Sequence, residues 1–281
     1  LNDLIHFKLT YLQHGVIKDD FSQDQTKIRK NINRFVTSAS AERKSLLELP
    51  YGYSEKEVLL AGLPRFDLIT NCSCNKRKKQ ILFAPTWRTL IEGYQWDFIN
   101  GTSQYNSQFK ETEFYHFYNM LINDPRILNC MNLHEYVGIF QLHPVIRIQA
   151  KDFQTNDIIS FQAEQKSYLY AIEENAMVVT DYSSIAFDYV YAGKPVIYTQ
   201  FDLDKFYSLQ NYNEGYFDYE HDGFGPVCYD YESTVEAIIN AIENDCVLEE
   251  KYQDRRKKFF AYFDGNNCKR IYEEILKLDK E

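Results

Sequence analysis

The sequence predicts an α/β fold in which parallel sheets carry helices on both faces. Short apolar runs bounded by polar, proline or glycine residues recur along the 281 residues, and such runs are typical of buried strands. Stretches with helical periodicity fall between them. Because strands that alternate with helices pair in parallel, helices are expected to cover both faces of each sheet.

The predicted elements follow the chain in order. The strands are Lys8 to Leu12, Val58 to Ala61, Gln80 to Ala84, Val137 to Leu142, Met177 to Thr180 and Pro195 to Thr199. The helices are Phe114 to Asn123, Ser167 to Glu174, Ile185 to Ala192, Thr234 to Glu243 and Lys269 to Leu278.

A chain of this length favours two domains. A polar stretch, Asn71 to Lys79, separates the strand at Gln80 from the preceding segment. We therefore expect one domain in residues 1–75, a second in residues 76–262, and a carboxyl-terminal helix in residues 263–281 that packs back across both. The first range is too short for a Rossmann-like half, so we expect that domain to be incomplete in this chain.

Composition excludes several classes of protein. A net charge of -10 argues against non-specific nucleic-acid binding, which needs a basic surface. The six cysteines show no paired spacing beyond Cys72-Ser73-Cys74 and are typical of reduced cytosolic thiols. No apolar run approaches the roughly 20 residues that span a bilayer. The sequence therefore predicts a protein that is soluble or bound peripherally to a membrane.

Polar groups follow four predicted strands, at the carboxyl edge where open parallel sheets bind ligands. These segments are Gln13-His14-Gly15, Pro85-Thr86-Trp87-Arg88, His143-Pro144 and Asp181-Tyr182-Ser183-Ser184.

The last of these segments precedes the predicted helix Ile185 to Ala192. Backbone N–H groups at a helix start have no intrahelical partner, and the helix dipole favours an anion there. Ser183 and Ser184 add hydroxyl donors. The turn therefore predicts a phosphate site, while a plain helix cap by Asp181 or Ser183 is an open alternative.

Asp188 lies four residues after Ser184, on the same face of an otherwise apolar helix. A carboxylate in such a helix is expected to be buried and to need a partner. That partner is either a ligand hydroxyl or a structural donor, and the sequence does not choose.

Three further side chains are candidates because of where they stand. His14 is followed by Gly15, which allows close approach of a substrate. His143 is followed by Pro144, which fixes the turn that aims the ring. Arg88 is suited to bidentate phosphate binding. Taken singly, each of these residue types is more often a packed or surface group.

Two metal-like patterns are rejected. Asp202-Leu203-Asp204 matches a glycosyltransferase metal motif in spacing alone, which occurs often by chance. Asp218 to Gly223 resembles the start of a calcium loop, but the twelfth position is Tyr229 rather than Glu. We therefore expect no metal and no cofactor.

Taken together and in order, the segments resemble the CDP-glycerol glycerophosphotransferase family, which builds teichoic-acid and capsular polymers. They are Tyr11 to Gly15, Gly62 to Asp67, Ile81 to Arg88, His143-Pro144, Thr180 to Asp188, Gly193 to Tyr198, Phe201 to Leu203, Gly225 to Val227 and Asp264-Gly265. Any one segment is weak, but their collinearity over nearly the whole chain is specific.

The resemblance implies a metal-independent GT-B architecture, with the acceptor side in residues 1–75 and the nucleotide donor bound by residues 76–262. It implies that His14 is the general base and that His143 is also catalytic. The substrate-binding set would be Gly15, Thr86, Arg88, Asp181, Ser183, Ser184 and Asp188.

The expected reaction is transfer of glycerol phosphate from CDP-glycerol, or from a related CDP-polyol, to a polyol-phosphate or saccharide acceptor with release of CMP. A lipid-linked acceptor would place the protein at the inner membrane face, in peripheral contact with anionic lipid. Two alternatives are open: a ribitol-phosphate or CMP-sugar transferase on the same scaffold, and a non-catalytic nucleotide-binding module. No nucleic-acid partner is expected.

Overall fold

The computed structural model describes residues 7–48, 50–71, 78–88, 96–97, 102–162, 168–210, 212–278 and 280. The chain divides into two compact units. The first contains residues 1–73, 212–222 and 250–281, and the second contains residues 74–211 and 223–249. Residues 212–222 and 250–262, which the prediction placed in the range 76–262, group instead with the first unit, as do residues 263–281. Cys72 and Cys74 lie outside the described residues.

The first unit contains a parallel sheet in the order β1-β2-β3. Its strands are β1 (Thr10–Tyr11), β2 (Arg34–Thr37) and β3 (Val58–Leu60), and its first helices are α1 (Lys27–Lys30), α2 (Ser40–Glu48) and α3 (Arg65–Asn71). Every residue of β2 is buried. Its core is the apolar cluster of Ile17, Ile32, Phe35, Leu46, Tyr51, Tyr53 and Val58.

The second unit is built on a six-stranded sheet in which every pair is parallel. Its strands are β4 (Gln80–Phe83), β7 (Val137–Phe140), β8 (Ile159–Phe161), β9 (Met177–Thr180), β10 (Val196–Thr199) and β11 (Val227–Cys228), while β5 (Trp96–Asp97) and β6 (Thr102–Ser103) form a separate antiparallel pair. Its helices are α4 (Glu113–Leu121), α5 (Pro125–Leu133), α6 (Tyr168–Glu174), α7 (Ile185–Tyr191), α8 (Leu203–Phe206) and α9 (Tyr231–Glu243), with 3₁₀ helices at Phe109–Glu111, Pro144–Asp152 and Tyr207–Leu209.

The strand order of this sheet is β8-β7-β4-β9-β10-β11. The chain therefore winds outward from β4 in one direction and then, from β9, in the other. This is the doubly wound Rossmann order, and ligands bind such sheets at the crevice where the winding reverses. That crevice lies at the carboxyl ends of β4 and β9, which are followed by Thr86 and Asp181.

Two carboxyl-terminal helices complete the first unit: α10 (Glu250–Phe259) and α11 (Asn267–Leu278). The Asp67 carboxylate on α3 accepts the N–H groups of Asn267 and Cys268 at 2.9 and 2.8 Å. It therefore caps α11 from a residue two hundred positions away. Gly62 has φ +80°, and a Cβ there would lie 2.1 Å from the Asn267 amide oxygen.

Local sequence explains several boundaries. Thr112, Asp124 and Asp230 stand at the starts of α4, α5 and α9, and each side chain accepts a backbone N–H of the first turn. Pro125 is tolerated at the first helical position because its missing N–H would have no partner there. Gly225 permits the approach to β10, since a Cβ would lie 1.7 Å from the Val196 carbonyl oxygen.

Among the described residues, no helix is long and apolar enough to cross a membrane. The same residues contain no cluster of three His, Cys, Asp or Glu side chains arranged for a metal ion.

Candidate functional site at the winding reversal

The turn after β9 is organised by the Asp181 carboxylate, which is fully buried. Oδ1 accepts the backbone N–H groups of Thr86 at 2.8 Å and Tyr182 at 2.7 Å. Oδ2 accepts the Tyr118 hydroxyl at 3.1 Å. One carboxylate therefore ties the loop after β4 to the turn after β9, across the crevice where the winding reverses.

Arg88 lies inside this arrangement, with its side chain 1% exposed. Nη2 lies 2.9 Å from Asp181 Oδ2. Nε and Nη2 donate to the two Asp202 oxygens at 2.7 and 3.1 Å, and Nη1 donates to the Thr86 carbonyl at 2.5 Å. Because protein acceptors occupy each side of the guanidinium, a direct bidentate phosphate contact by Arg88 does not fit this geometry. Its role is revised to holding the two loops together.

Aromatic rings enclose the ion pairs. The Arg88 guanidinium lies 4.9 Å from the Phe206 ring centre and 5.3 Å from that of Tyr182. Burial lowers the pKa of Arg88, but the charges of Asp181 and Asp202 outweigh it and raise that pKa. Burial, reinforced by Asp181, raises the pKa of Tyr118 well above its usual value. Arg88 therefore keeps its charge and Tyr118 its phenol proton near neutral pH.

Asp202 was not predicted as a member of this site. It lies at the start of α8, its side chain is 5% exposed, and it holds Arg88 through both oxygens. The sequence signal for Asp202 is the Asp202-Leu203-Asp204 pattern, which was interpreted only as a rejected metal motif. A buried Arg88 requires a partner of opposite charge, and that requirement could have directed attention to Asp202.

Ser183 and Ser184 present donors at the mouth of the same turn. Ser184 makes no side-chain capping bond to α7, and the Asp181 carboxylate is used elsewhere. The Ser183 hydroxyl accepts the Ile185 N–H at 3.4 Å, a long contact. Across the described ranges, no protein acceptor takes the N–H of Ser183 or Ser184. The plain-cap alternative therefore leaves two donors unused, which favours an anion at this position.

His143 follows β7, the strand next to β4. Its ring stacks on Trp87 with centroids 5.8 Å apart and planes inclined by 27°. Burial of the ring, with a contribution from Arg147, lowers the pKa of His143 to about 4, although the residue still reaches solvent. Nδ1 accepts the Val145 N–H at 3.3 Å, so the neutral ring carries its proton on Nε2. His143 is therefore a neutral hydrogen-bond donor at pH 7.

Asp188 and Thr86 are less accessible than the prediction assumed. Asp188 is fully buried in α7, which favours the structural-donor alternative over direct contact with a ligand hydroxyl. The Thr86 hydroxyl is also buried and finds no partner in the part of the chain that the structure describes. Thr86 contributes to the site through its backbone, which bonds to Asp181 and Arg88.

His14 and Gly15 belong to the first unit, directly after β1. The His14 side chain is exposed and Gly15 is buried. The His14 carbonyl accepts a hydrogen bond from the Arg65 guanidinium. The structure thus brings together Thr86, Arg88, His143, Asp181, Ser183 and Ser184 at one edge of the second sheet, and it places His14 and Gly15 at the carboxyl edge of the first.

Relatives and solved structures are similar to this chain over most of its length. Minor teichoic acid biosynthesis protein GgaB of Bacillus subtilis (strain 168) is 38% identical over 277 residues, which is 99% of this chain and 30% of that protein. The teichoic acid poly(ribitol-phosphate) polymerase of Bacillus spizizenii is 25% identical over 266 residues, covering 89% of this chain and 38% of the relative. The chain thus spans about a third of the length of these relatives.

The structure of the wall teichoic acid polymerase TagF superposes with a TM-score of 0.62 at 18% identity, covering 97% of this chain and 68% of that one. A complex of Staphylococcus aureus MnaA with UDP superposes with a TM-score of 0.53 at 15% identity, covering 95% and 66%. At these identities the likeness concerns the fold, and it confirms the predicted α/β fold of the GT-B type.

The predicted family resemblance is tested by a sequence profile that covers both units. Residues 4–277 match the profile described as CDP-Glycerol:Poly(glycerophosphate) glycerophosphotransferase. Because that match covers nearly the whole chain, it shows that the chain belongs to the CDP-glycerol:poly(glycerophosphate) glycerophosphotransferase family.

Proposed function

We propose that this chain transfers glycerol phosphate from CDP-glycerol to a hydroxyl of a growing teichoic-acid-like or capsular polymer, with release of CMP. The observation that carries the proposal is the turn after β9. It offers the N–H groups of Ser183 and Ser184 and the Ser184 hydroxyl at the edge where doubly wound sheets bind nucleotides. Family membership supports CDP-glycerol as the nucleotide donor.

In this mechanism, His14 takes the proton from an acceptor hydroxyl. The resulting oxygen attacks the phosphorus that bears glycerol, and the bond from that phosphorus to the bridging oxygen of the pyrophosphate breaks. The electron pair of that bond leaves with CMP. An exposed histidine suits the base, because imidazole is the side-chain group most often used for proton transfer of this kind.

The second unit would stabilise the negative charge that develops on the leaving phosphate. Ser183 and Ser184 supply hydrogen-bond donors, and His143 supplies its Nε2–H as a neutral donor. Arg88, Asp181 and the Thr86 backbone hold these donors in place. Asp188 supports α7 from inside the unit.

A second donor is supported by one specific observation. The relative from Bacillus spizizenii is named as a poly(ribitol-phosphate) polymerase, and it aligns with 89% of this chain. Ribitol phosphate from CDP-ribitol is therefore the second candidate cargo on the same scaffold.

The test is incubation of the chain with CDP-glycerol, CDP-ribitol and CMP-sugars separately, each with a polyol-phosphate or saccharide acceptor, and measurement of CMP. CMP release from CDP-glycerol is expected. Release only from CDP-ribitol or a CMP-sugar would replace the donor in the proposal. Binding of CDP-glycerol without CMP release from any donor would contradict the transferase and support a non-catalytic nucleotide-binding module.

The acceptor is proposed to be lipid-linked, which would bring the protein to the inner face of the cell membrane through peripheral contact with anionic lipid. Sedimentation with vesicles that contain an anionic phospholipid measures this contact. Equal recovery with neutral vesicles would contradict it.

A further inference from the structure

We infer that Glu42 is a positioning residue for His14, which it holds by tying the loop that carries the histidine to the end of β2. The inference rests on the proposed role of His14 as the base. Glu42 was not among the predicted site residues.

The carboxylate of Glu42 is fully buried near the start of α2. Oε1 accepts the Ile17 N–H at 2.8 Å. Oε2 accepts the Ser38 N–H at 2.7 Å and the Ser38 hydroxyl at 3.0 Å. The Gln13 side-chain amide, which donates to the Val36 carbonyl, lies near this carboxylate and lowers its pKa. The carboxylate therefore binds the loop three residues after His14 and lies beside the side chain that precedes His14.

The loop adopts a conformation that needs such support. Gln13 has φ +60°, in the left-handed region that side-chain-bearing residues rarely adopt. The Gln13 side-chain amide donates to the Val36 carbonyl of β2, and the Arg65 guanidinium donates to the His14 carbonyl. Unfavourable backbone conformations persist only where several contacts impose them, and they are concentrated at functional sites. Glu42 adds a further contact to this loop by accepting the Ile17 N–H, and its carboxylate lies near the Gln13 side chain.

Every group that contacts the Glu42 oxygens is a hydrogen-bond donor, and within the described residues no cation pairs with Glu42. Burial raises the pKa of Glu42, and the hydrogen bonds from Ser38 and Ile17 and the nearby Gln13 side chain oppose that shift. In a glutamine at this position, an NH2 group would replace one of the two accepting oxygens. Its N–H groups would then face N–H or O–H donors, and those hydrogen bonds would be lost. Glu42→Gln keeps the size of the side chain and therefore disrupts the grip selectively.

Asp67 provides a matched control, because it is also a buried carboxylate of the first unit that accepts two backbone N–H groups. Those bonds cap α11 and do not involve the His14 loop. Asp67→Asn should therefore cost stability of the first unit without altering the position of His14.

The first measurement is steady-state CMP release from CDP-glycerol by the whole 281-residue chain, corrected for the folded fraction. For Glu42→Gln we expect kcat to fall on the order of 10²-fold, as displacement of a catalytic group by about 1 Å does, with KM for CDP-glycerol unchanged. Asp67→Asn should keep the wild-type kcat per folded molecule. A folded Glu42→Gln with wild-type kcat, or an equal loss of kcat in both variants, would overturn the inference.

The second measurement does not depend on activity. In the NMR spectrum of chain with ¹³C-labelled histidine, the His14 ring signal is the one that His14→Ala removes. We expect Glu42→Gln and Glu42→Ala to shift or split this signal and to leave the other histidine signals in place, whereas Asp67→Asn leaves it unmoved. An unchanged His14 signal in folded Glu42→Ala would contradict the inference, whether or not the chain is active. Failure of the proposed function would show itself separately, as the absence of CMP release by the wild-type chain.

Discussion

In each unit of this protein, buried carboxylates hold a loop that carries candidate site residues, but the partners of those carboxylates differ in charge. In the first unit, Glu42 holds the His14 loop through hydrogen-bond donors that lie 4 and 25 residues away in sequence. In the second unit, Asp181 and Asp202 hold the loops of Thr86 and Ser184 through Arg88, and the pair with Asp202 spans 114 residues. The Glu42 contacts span fewer residues and involve neutral donors. The Arg88 contacts span more residues and are ionic.

This difference in charge predicts which substitutions should lower the free energy of unfolding and which should chiefly lower activity. Removal of one partner from a buried ion pair leaves an uncompensated charge, so the second arrangement belongs to the folding energy of its unit. The Glu42 arrangement involves neutral donors, and its loss should chiefly affect the geometry of His14. The predictions below test this contrast, from the largest expected effect to the smallest.

His14→Ala should produce the largest effect. General-base catalysis contributes roughly 10²- to 10⁴-fold to a rate, so CMP release should fall by that factor. Binding of CDP-glycerol, measured by calorimetry, should persist, because the predicted donor groups lie in the second unit. Loss of donor binding in a folded His14→Ala protein would show that His14 is a ligand rather than the base.

Arg88→Met should destabilise the second unit severely. It strands Asp181 and Asp202 in a buried environment, and breaking a buried pair costs about 3–5 kcal/mol of unfolding free energy. Urea denaturation measures this loss. Lys205→Met is the control, because its partner Glu113 lies 3.0 Å away with both side chains more than half exposed, and such pairs contribute about 0–1 kcal/mol. Equal stability of the two variants would refute the structural role of Arg88.

His143→Ala should lower kcat on the order of 10²-fold, the effect of removing one preorganised donor. Unfolding measurements at pH 7 should show little change, because part of the residue reaches solvent even though its ring stacks on Trp87. A rise in KM with unchanged kcat would assign His143 to ground-state binding instead.

The titration of His143 supplies a separate check. Its folded pKa of about 4 lies below the ordinary value of 6.5. The neutral ring is favoured in the folded state, so its contribution to stability is present above pH 6.5 and is lost as pH falls toward 4. The His143 NMR signal should accordingly titrate near pH 4. Titration near 6.5 would remove the argument for a neutral donor.

Ser184→Ala should have the smallest effect. A hydrogen bond to a charged group contributes about 1.5–3 kcal/mol, which corresponds to roughly tenfold or more in KM for CDP-glycerol. Ser233→Ala is the control, because its hydroxyl bonds to the Asp230 carbonyl at the start of α9. An unchanged KM in Ser184→Ala would place the phosphate elsewhere.

The sequence was most informative where local pattern and burial agree. The strand at Met177–Thr180 is buried throughout and was predicted with the observed bounds, and all the other predicted strands and helices exist with shifted ends. The strand at Arg34–Thr37 was missed because it begins with a charged residue that is nevertheless buried. Helix Glu250–Phe259 was missed because Tyr252 is its buried residue and most of its other side chains are charged or polar.

The candidate site was predictable by position and not by role. The carboxyl ends of parallel strands locate Thr86, His143 and Asp181 without knowledge of tertiary contacts. The position of Arg88 after a strand does not predict its role, because its partner Asp202 is remote in sequence and meets it only in the folded chain. The same holds for Glu42, whose importance depends on the backbone N–H groups of Ile17 and Ser38 rather than on any motif.

The discontinuity of the first unit has a consequence for synthesis on the ribosome. Helices α10 and α11, from residues 250 onward, belong to that unit, and α11 is capped by Asp67. The second unit has all of its residues once position 249 has emerged. Domains generally fold as units in the order in which they are synthesised. Here the second unit has all of its residues first. The segment that carries His14 therefore has to wait for α10 and α11, after the six-stranded sheet is already complete.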